Sequence, residues 1–147
     1  MAQQKESSEF IFSHGSYRGK FLNLTPHCVK LFIMDFAVEF PSSGFIRLLR
    51  TQNGQSKIEC GISGDVSLTF EFPKFAPFTD YTLECDEPIS DQALIVSMPV
   101  ADYIISNNLF MDNAVLIPDT GPGSVIRDTN GNIVGVRKFI VYRIPMN

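Results

Sequence analysis

Apolar positions along this chain recur at a two-residue period more often than at a helical one. Val66, Leu68, Phe70 and Phe72 alternate with Ser67, Thr69 and Glu71, which predicts a strand with one buried face. Residues 21–24 and 28–34 read as strands on either side of the Thr25-Pro26-His27 kink. Pro41-Ser42-Ser43-Gly44 is a turn into the apolar run 45–49, and Asn53-Gly54 joins that run to 57–62 as a hairpin. Residues 73–88, punctuated by proline and carrying Phe75, Phe78 and Tyr81, predict an irregular connection that packs by its rings. A short buried strand is expected over 92–97 and an extended piece over 115–117, before a loop at 118–123.

One helix stands out. Ser97 is placed to cap it, Pro99 falls in its first turn, and Val100, Tyr103 and Ile104 share a face, with fraying expected by Asn107-Asn108. The last hairpin comprises 124–128, the turn 129–132 and a long strand 133–144. These elements predict an α+β fold, mainly antiparallel β-sheet with hairpins and one or two short helices. Residues 1–20 read as an arm or tail and 21–147 as a single α+β domain.

With Asn130-Gly131 as a two-residue turn, Arg127 stands opposite Val134 and shares a face with Val125 and Val136. Asp128 and Arg137 then fall on the other face with Ile126, Ile133 and Gly135. Both faces mix charge with apolar side chains. Either a subunit or ligand covers the hairpin, or its charges guard a sheet edge against aggregation.

Composition narrows the partners. The chain has 147 residues, 44% hydrophobic and 19% charged, as expected of one globular domain. A net charge of −4 argues against long nucleic acid and against an anionic membrane surface, while a small anionic ligand stays open. No run approaches the roughly 18 apolar residues of a membrane span, and the apolar patch 31–36 is broken by Asp35. Residues 1–9 are polar and do not resemble a signal peptide. Three cysteines, Cys28, Cys60 and Cys85, have no paired spacing and read as buried packing residues of a cytoplasmic protein.

Few constellations carry chemistry. His27 and Cys28 are neighbours, so on a strand they would point to opposite faces, and no zinc-ligand spacing occurs. There is no nucleophile elbow, and Gly121-Pro122-Gly123 reads as a tight turn before a strand, because Pro122 lacks an amide donor. No catalytic residue, metal ligand or cofactor is therefore assigned. What remains is Arg47, Arg50, Arg127 and Arg137, each set in an apolar strand. Such an arginine snorkels, pairs with a carboxylate such as Asp128, or meets an anion in an aromatic-lined nucleotide pocket.

Several segments in order carry a resemblance. They are Asn23-Leu24-Thr25-Pro26-His27, Ser43-Gly44 with Arg47, Ile95-Val96-Ser97, Val100-Ala101 and Pro118-Asp119-Thr120-Gly121. Val125-Ile126-Arg127-Asp128 and Gly131-x-Ile133-Val134-Gly135-Val136-Arg137 complete the set. From about Phe21 to Tyr142 the chain resembles a family of small phage and prophage proteins, the first-described Thoeris anti-defence type. The resemblance implies a non-enzymatic sponge for the cyclic ADP-ribose isomers made by TIR-domain enzymes. It implies a symmetric homodimer or hexamer with pockets at subunit interfaces and, in some members, a second site for cyclic oligonucleotides. Matched by position, Arg47, Arg127 and Asp128 would line the pocket. The arginines would neutralise phosphates, and Asp128 would accept from ribose hydroxyls or orient an arginine. Arg137 belongs to the same matched hairpin, while Tyr103 and Asn108 would supply a stacking ring and an adenine-reading amide. The long N-terminal arm and the Phe-rich stretch 70–78 depart from the pattern.

The expected function is thus sequestration of a cyclic nucleotide immune signal, without cleavage, in the cytoplasm of an infected cell. Two alternatives stand beside it. One is a small hydrolase or lyase acting on a cyclic nucleotide through His27 or an Asp; the other is a structural phage interaction protein.

Overall fold

Ala93, Leu94 and Ile95 are all fully buried, and a strand covered on both faces is a continuous apolar run. The architecture is arranged around that strand. The computed structural model describes residues 3–6, 10–34, 36–50, 56–62, 66–72 and 92–145. Its first strands are β1 (Gln3–Glu6), β2 (Ile11–His14), β3 (Tyr17–Asn23), β4 (Val29–Ile33), β5 (Phe36–Phe40), β6 (Gly44–Arg50), β7 (Ser56–Ile62) and β8 (Val66–Phe72). There follow β9 (Ala93–Ile95), the helix α1 (Met98–Ser106), β10 (Val115–Pro118), β11 (Val125–Arg127), β12 (Ile133–Val136) and β13 (Phe139–Arg143). The fold is mostly β-sheet with one short helix among the described residues, which agrees with the expected α+β, mainly β class.

One five-stranded sheet has the order β13-β10-β9-β3-β2 and another β1-β5-β4-β12-β11, while β6-β7-β8 form a three-stranded meander. In the first sheet β9 runs parallel to both β3 and β10. Parallel neighbours need a crossover, and α1 supplies it between β9 and β10. Alternation along β9 sets the two interfaces. Leu94 packs with Val100, Ala101 and Ile104 of α1. Ile95 packs with Leu31, Val38 and Val136 of the other sheet. A helix of this length is marginal alone; its buried stripe against the sheet holds it.

Phenylalanine fills the seam between the sheets. Phe21 of β3, Phe40 of β5 and Phe139 of β13 form a triangle with ring centroids 5.1, 5.6 and 6.1 Å apart. Phe12 meets Phe21 edge-on at 6.0 Å. Here lies part of the Phe 13, Trp 0 skew: edge-to-face rings fill the seam with no polar atom to satisfy.

The structure departs from expectation in four places. First, β5 goes unforeseen because Ala37 and Val38 are adjacent and both buried, which hides the period of two. The β4–β5 hairpin sets Ile33 opposite Phe36, with Met34 at φ 48° in place of a glycine. Second, the arm expected over 1–20 is built into the sheets. β1 pairs in parallel with β5, and β2 pairs with β3. Tyr17 is 7% exposed, and its hydroxyl accepts the Ala114 N–H at 3.2 Å.

Third, the long strand expected over 133–144 is divided. β12 pairs with β4 and β11, whereas β13 pairs with β10 in the other sheet. The chain changes sheet at Arg137 and Lys138. Fourth, the last hairpin keeps Val125 opposite Val136 and Ile126 opposite Gly135, then shifts so that Arg127 faces Ile133 rather than Val134. The cause is a wider turn than Asn130-Gly131 alone. The Asp128 N–H donates to Asn132 O at 2.9 Å, and the Gly131 N–H donates to Asp128 O at 3.0 Å. The β6–β7 register places Arg50 opposite Ser56, as a hairpin through Asn53-Gly54 requires. That turn, and the irregular connection expected over 73–88, lie outside the described residues. Among the described residues no helix is long and apolar enough to cross a membrane.

Candidate functional site

The Thr25-Pro26-His27 kink is shaped by one buried side chain. Asn23 ends β3 at 2% exposure, and its Oδ1 accepts the Thr25 N–H at 3.0 Å. Its Nδ2 donates to His27 O at 2.8 Å and to Phe40 O at 2.7 Å. The Ser42 hydroxyl lies 2.7 Å from both Thr25 O and Gly44 O, tying the kink to the turn that opens β6. An asparagine can satisfy two donors and two acceptors at once, so one side chain closes the loop on itself and on β5.

Beside this kink opens a cleft of about 630 Å³, within the range of small-molecule sites, roughly 300–1,000 Å³. Thr25, His27, Cys28 and Lys30 form one wall. Because β4 starts only at Val29, His27 and Cys28 are not constrained to opposite faces, and both reach the cleft. Cys28 is exposed rather than buried, which corrects the expectation of a packing residue. Partial desolvation of the thiol and, next, the Glu39 carboxylate push its pKa up, against a smaller opposing effect of Lys30.

Ser97 and Met98 contribute the start of α1. Ser97 takes the extended N-cap conformation and its carbonyl accepts the Ala101 N–H at 2.9 Å, yet its hydroxyl makes no cap bond. Asp119 and Gly121 belong to the loop after β10. Asp119 Oδ1 accepts the Gly121 N–H at 2.9 Å, and its Oδ2 lies 3.5 Å from Lys138 Nζ. The Asp119 N–H also donates to Lys138 O at 3.1 Å, fastening this loop to the sheet-to-sheet crossing.

β12 supplies an apolar side. Gly135 lets it approach β4 closely: a Cβ there would stand 2.4 Å from the Phe32 ring and 2.8 Å from Lys30 O. Ile133, Val134 and Ile140 line the cleft while remaining 50%, 40% and 41% exposed. So much exposed aliphatic surface beside a concavity is a mark of a binding surface.

The residues nominated from the sequence lie elsewhere, and none of those with described side chains lines this cleft. Arg127 and Asp128 close their own turn. The Arg127 guanidinium donates to Gly131 O at 2.7 Å, while Asp128 Oδ1 accepts the Asn130 and Asn132 N–H groups at 2.9 and 3.0 Å. Arg137 is exposed at the crossing, its N–H bonded to Ser124 O at 2.9 Å. Tyr103 packs half-buried against the α1 core, which pushes its hydroxyl pKa up. Asn108 is exposed just past α1 at φ 53°. Arg47 sits in β6 opposite Glu59; its side chain, like that of Arg50, lies outside the described residues. The fold therefore groups Arg127, Asp128 and Arg137 on one hairpin, and Tyr103 with Asn108 at α1.

Sequence reasoning passed over Lys30 and Asn23 as site residues. Lys30 carries the signal applied to the arginines, a cation inside the apolar run Val29-Lys30-Leu31-Phe32-Ile33. Among the described residues no group of three or more His, Cys, Asp or Glu is placed to hold a metal ion. Comparison with family models, with curated proteins and with solved structures finds no match.

Proposed function

We propose that this protein binds and sequesters a cyclic, phosphate-bearing nucleotide, of the class of the cyclic ADP-ribose isomers, without cleaving it. One observation carries the reading. Four segments of the resemblance converge on a single cleft: the Thr25 kink, Ser97, the Pro118-Asp119-Thr120-Gly121 loop and β12. They come from distant parts of the chain, and their meeting point is a concavity lined by Thr25, His27, Lys30, Ser97 and apolar residues of β12. Those groups suit a ligand with a purine ring, ribose hydroxyls and phosphates.

The apolar rim supports a homo-oligomer, dimer or hexamer. Ile133, Val134, Ile140 and Val141 are each 40% exposed or more, and a second copy laid over them would deepen the cleft. In that assembly the arginines of the β11–β12 hairpin are available to a neighbouring pocket. The setting is the cytoplasm of a phage-infected cell, where such a signal is made.

His27 and Asp119 on the cleft wall favour a second reading, acid–base cleavage of the same ligand. One experiment separates the two. The protein is incubated with cyclic ADP-ribose and its linkage isomers, freed of excess, denatured, and the released material chromatographed. Intact ligand in stoichiometric amount is expected. A cleaved product overturns sequestration in favour of catalysis, and failure to retain any isomer overturns both.

A further inference from the structure

Among the described residues lining the cleft, Lys30 is the one lysine or arginine. The cross-strand register sets Lys30 opposite Glu39, and Nζ lies 3.5 Å from Oε1. That separation is longer than the roughly 2.7–2.9 Å of a tight charge-assisted bond. Nζ also stands 5.6 Å from the centroid of the Phe32 ring, which attracts the charge without consuming a donor. An ammonium has three N–H groups, so capacity remains. Glu39 does not line the cleft. Lys30 thus lines the cleft while its ammonium rests beside a carboxylate outside it.

The other charge on the wall is already answered, since Asp119 lies 3.5 Å from Lys138. The net pull of the cleft on an anion then depends on how firmly Glu39 retains Lys30. The field of the pair reaches the wall itself: Glu39 pushes the Cys28 pKa up, and Lys30 opposes it.

We infer that Lys30 is the anion-binding group of the cleft and that Glu39 is its built-in competitor. A phosphate-bearing ligand binds by taking the ammonium from Glu39. The inference rests on the sequestration reading for the identity of that ligand, but not for the existence of the anion site. Competition of this kind filters ligands. A monoanionic carboxylate offers Lys30 nothing that Glu39 does not, whereas a pyrophosphate brings more charge and more acceptors.

The test is calorimetric titration with inorganic pyrophosphate, cyclic ADP-ribose and adenosine, on the native chain and on Lys30→Met, Lys30→Arg and Glu39→Gln. For the two phosphate probes, Lys30→Met is expected to weaken binding by about tenfold or more. Lys30→Arg should retain binding, and Glu39→Gln should tighten it severalfold. Adenosine should not respond to Glu39→Gln. If folded Lys30→Met binds pyrophosphate like the native chain, or Glu39→Gln brings no tightening, the inference is overturned. Glu39→Gln keeps the decision open to test should Lys30→Met fail to fold.

The two readings fail separately. Pyrophosphate following the pattern while cyclic ADP-ribose does not bind sinks sequestration and leaves the anion site. Cyclic ADP-ribose binding equally to all four chains sinks the anion site and leaves sequestration. Native protein that binds neither phosphate probe overturns the inference.

Discussion

The side-chain amide of Asn23, at the end of β3, donates at 2.7 Å to the carbonyl of Phe40, at the end of β5. Those strands belong to different sheets, so one asparagine joins the two layers and shapes the kink beside the cleft. Asn23→Ala takes the side-chain donor from the buried Phe40 carbonyl and leaves the His27 carbonyl with the Thr25 hydroxyl alone, and should cost about 1–3 kcal/mol. Asn23→Asp should be no milder, because a carboxylate would face both carbonyls. Urea denaturation measures each loss, and an unchanged midpoint would show that Asn23 fastens nothing.

Across the seam, the Phe21 and Phe40 rings meet at 63° with centroids 5.1 Å apart. A double-mutant cycle with Phe21→Leu and Phe40→Leu should give a coupling of about 0.5–1.5 kcal/mol. Strict additivity would mean that the rings fill space without interacting specifically.

Gly135 admits no side chain, since its Cβ would press on the Phe32 ring and on the backbone at Lys30. Gly135→Ala should destabilise by about 1–3 kcal/mol through overpacking and weaken any ligand held in the cleft that Gly135 lines. Gly123→Ala is the control: nothing lies within 4 Å of that position. Thermal melts of the two variants should diverge, and matching melts would refute the close approach.

Cys28 reports on the charges around it. Its raised pKa, caused first by partial desolvation and then by Glu39, keeps the thiol protonated to higher pH than an ordinary one, so alkylation by iodoacetamide should be slow. Glu39→Gln should lower the pKa and speed alkylation severalfold at mildly alkaline pH; Lys30→Met should slow it. Peptide mass spectrometry distinguishes this cysteine from Cys60 and Cys85. The linkage has a definite sign. The fold favours the neutral thiol, so stability is full at pH below the ordinary thiol value and declines as pH rises through the raised one.

Asp128 and Arg127 act in the turn between β11 and β12. Asp128→Ala removes the acceptor for two backbone N–H groups and should cost about 0.5–2 kcal/mol. Arg127→Ala gives up one exposed bond to Gly131 O and should cost about 1 kcal/mol or less. If Arg127→Ala also abolishes the thermal shift produced by cyclic ADP-ribose while the domain stays folded, the hairpin reaches a ligand in the assembly.

Where a signal is local, the chain announces it. β8 follows from strict alternation over Val66–Phe72, the β6–β7 hairpin from Asn53-Gly54, and α1 from Ser97 with Pro99. Partnerships across long stretches are not legible, because no turn sets the register of Phe21 with Ala93 or of Leu31 with Val136. Hence one apparent strand over 133–144 conceals two that serve separate sheets. The cleft is legible in its pieces: Thr25, Ser97 and the Pro118 loop each stand out as motifs in the sequence. That they meet depends on those same distant pairings. Lys30 lies among apolar neighbours as the arginines do, so the same cue marks it in the sequence.

The division of the last strand pair also governs when the fold can exist. One sheet needs β4 and β5 together with β12; the other needs β3 together with β9, β10 and β13. Neither layer can be completed from the first half of the chain as it leaves the ribosome. Closure must wait until Arg137 and Lys138 have emerged and the final strand has reached β10. Such late, long-range closure is slow, and until then the nascent chain carries its phenylalanines uncovered.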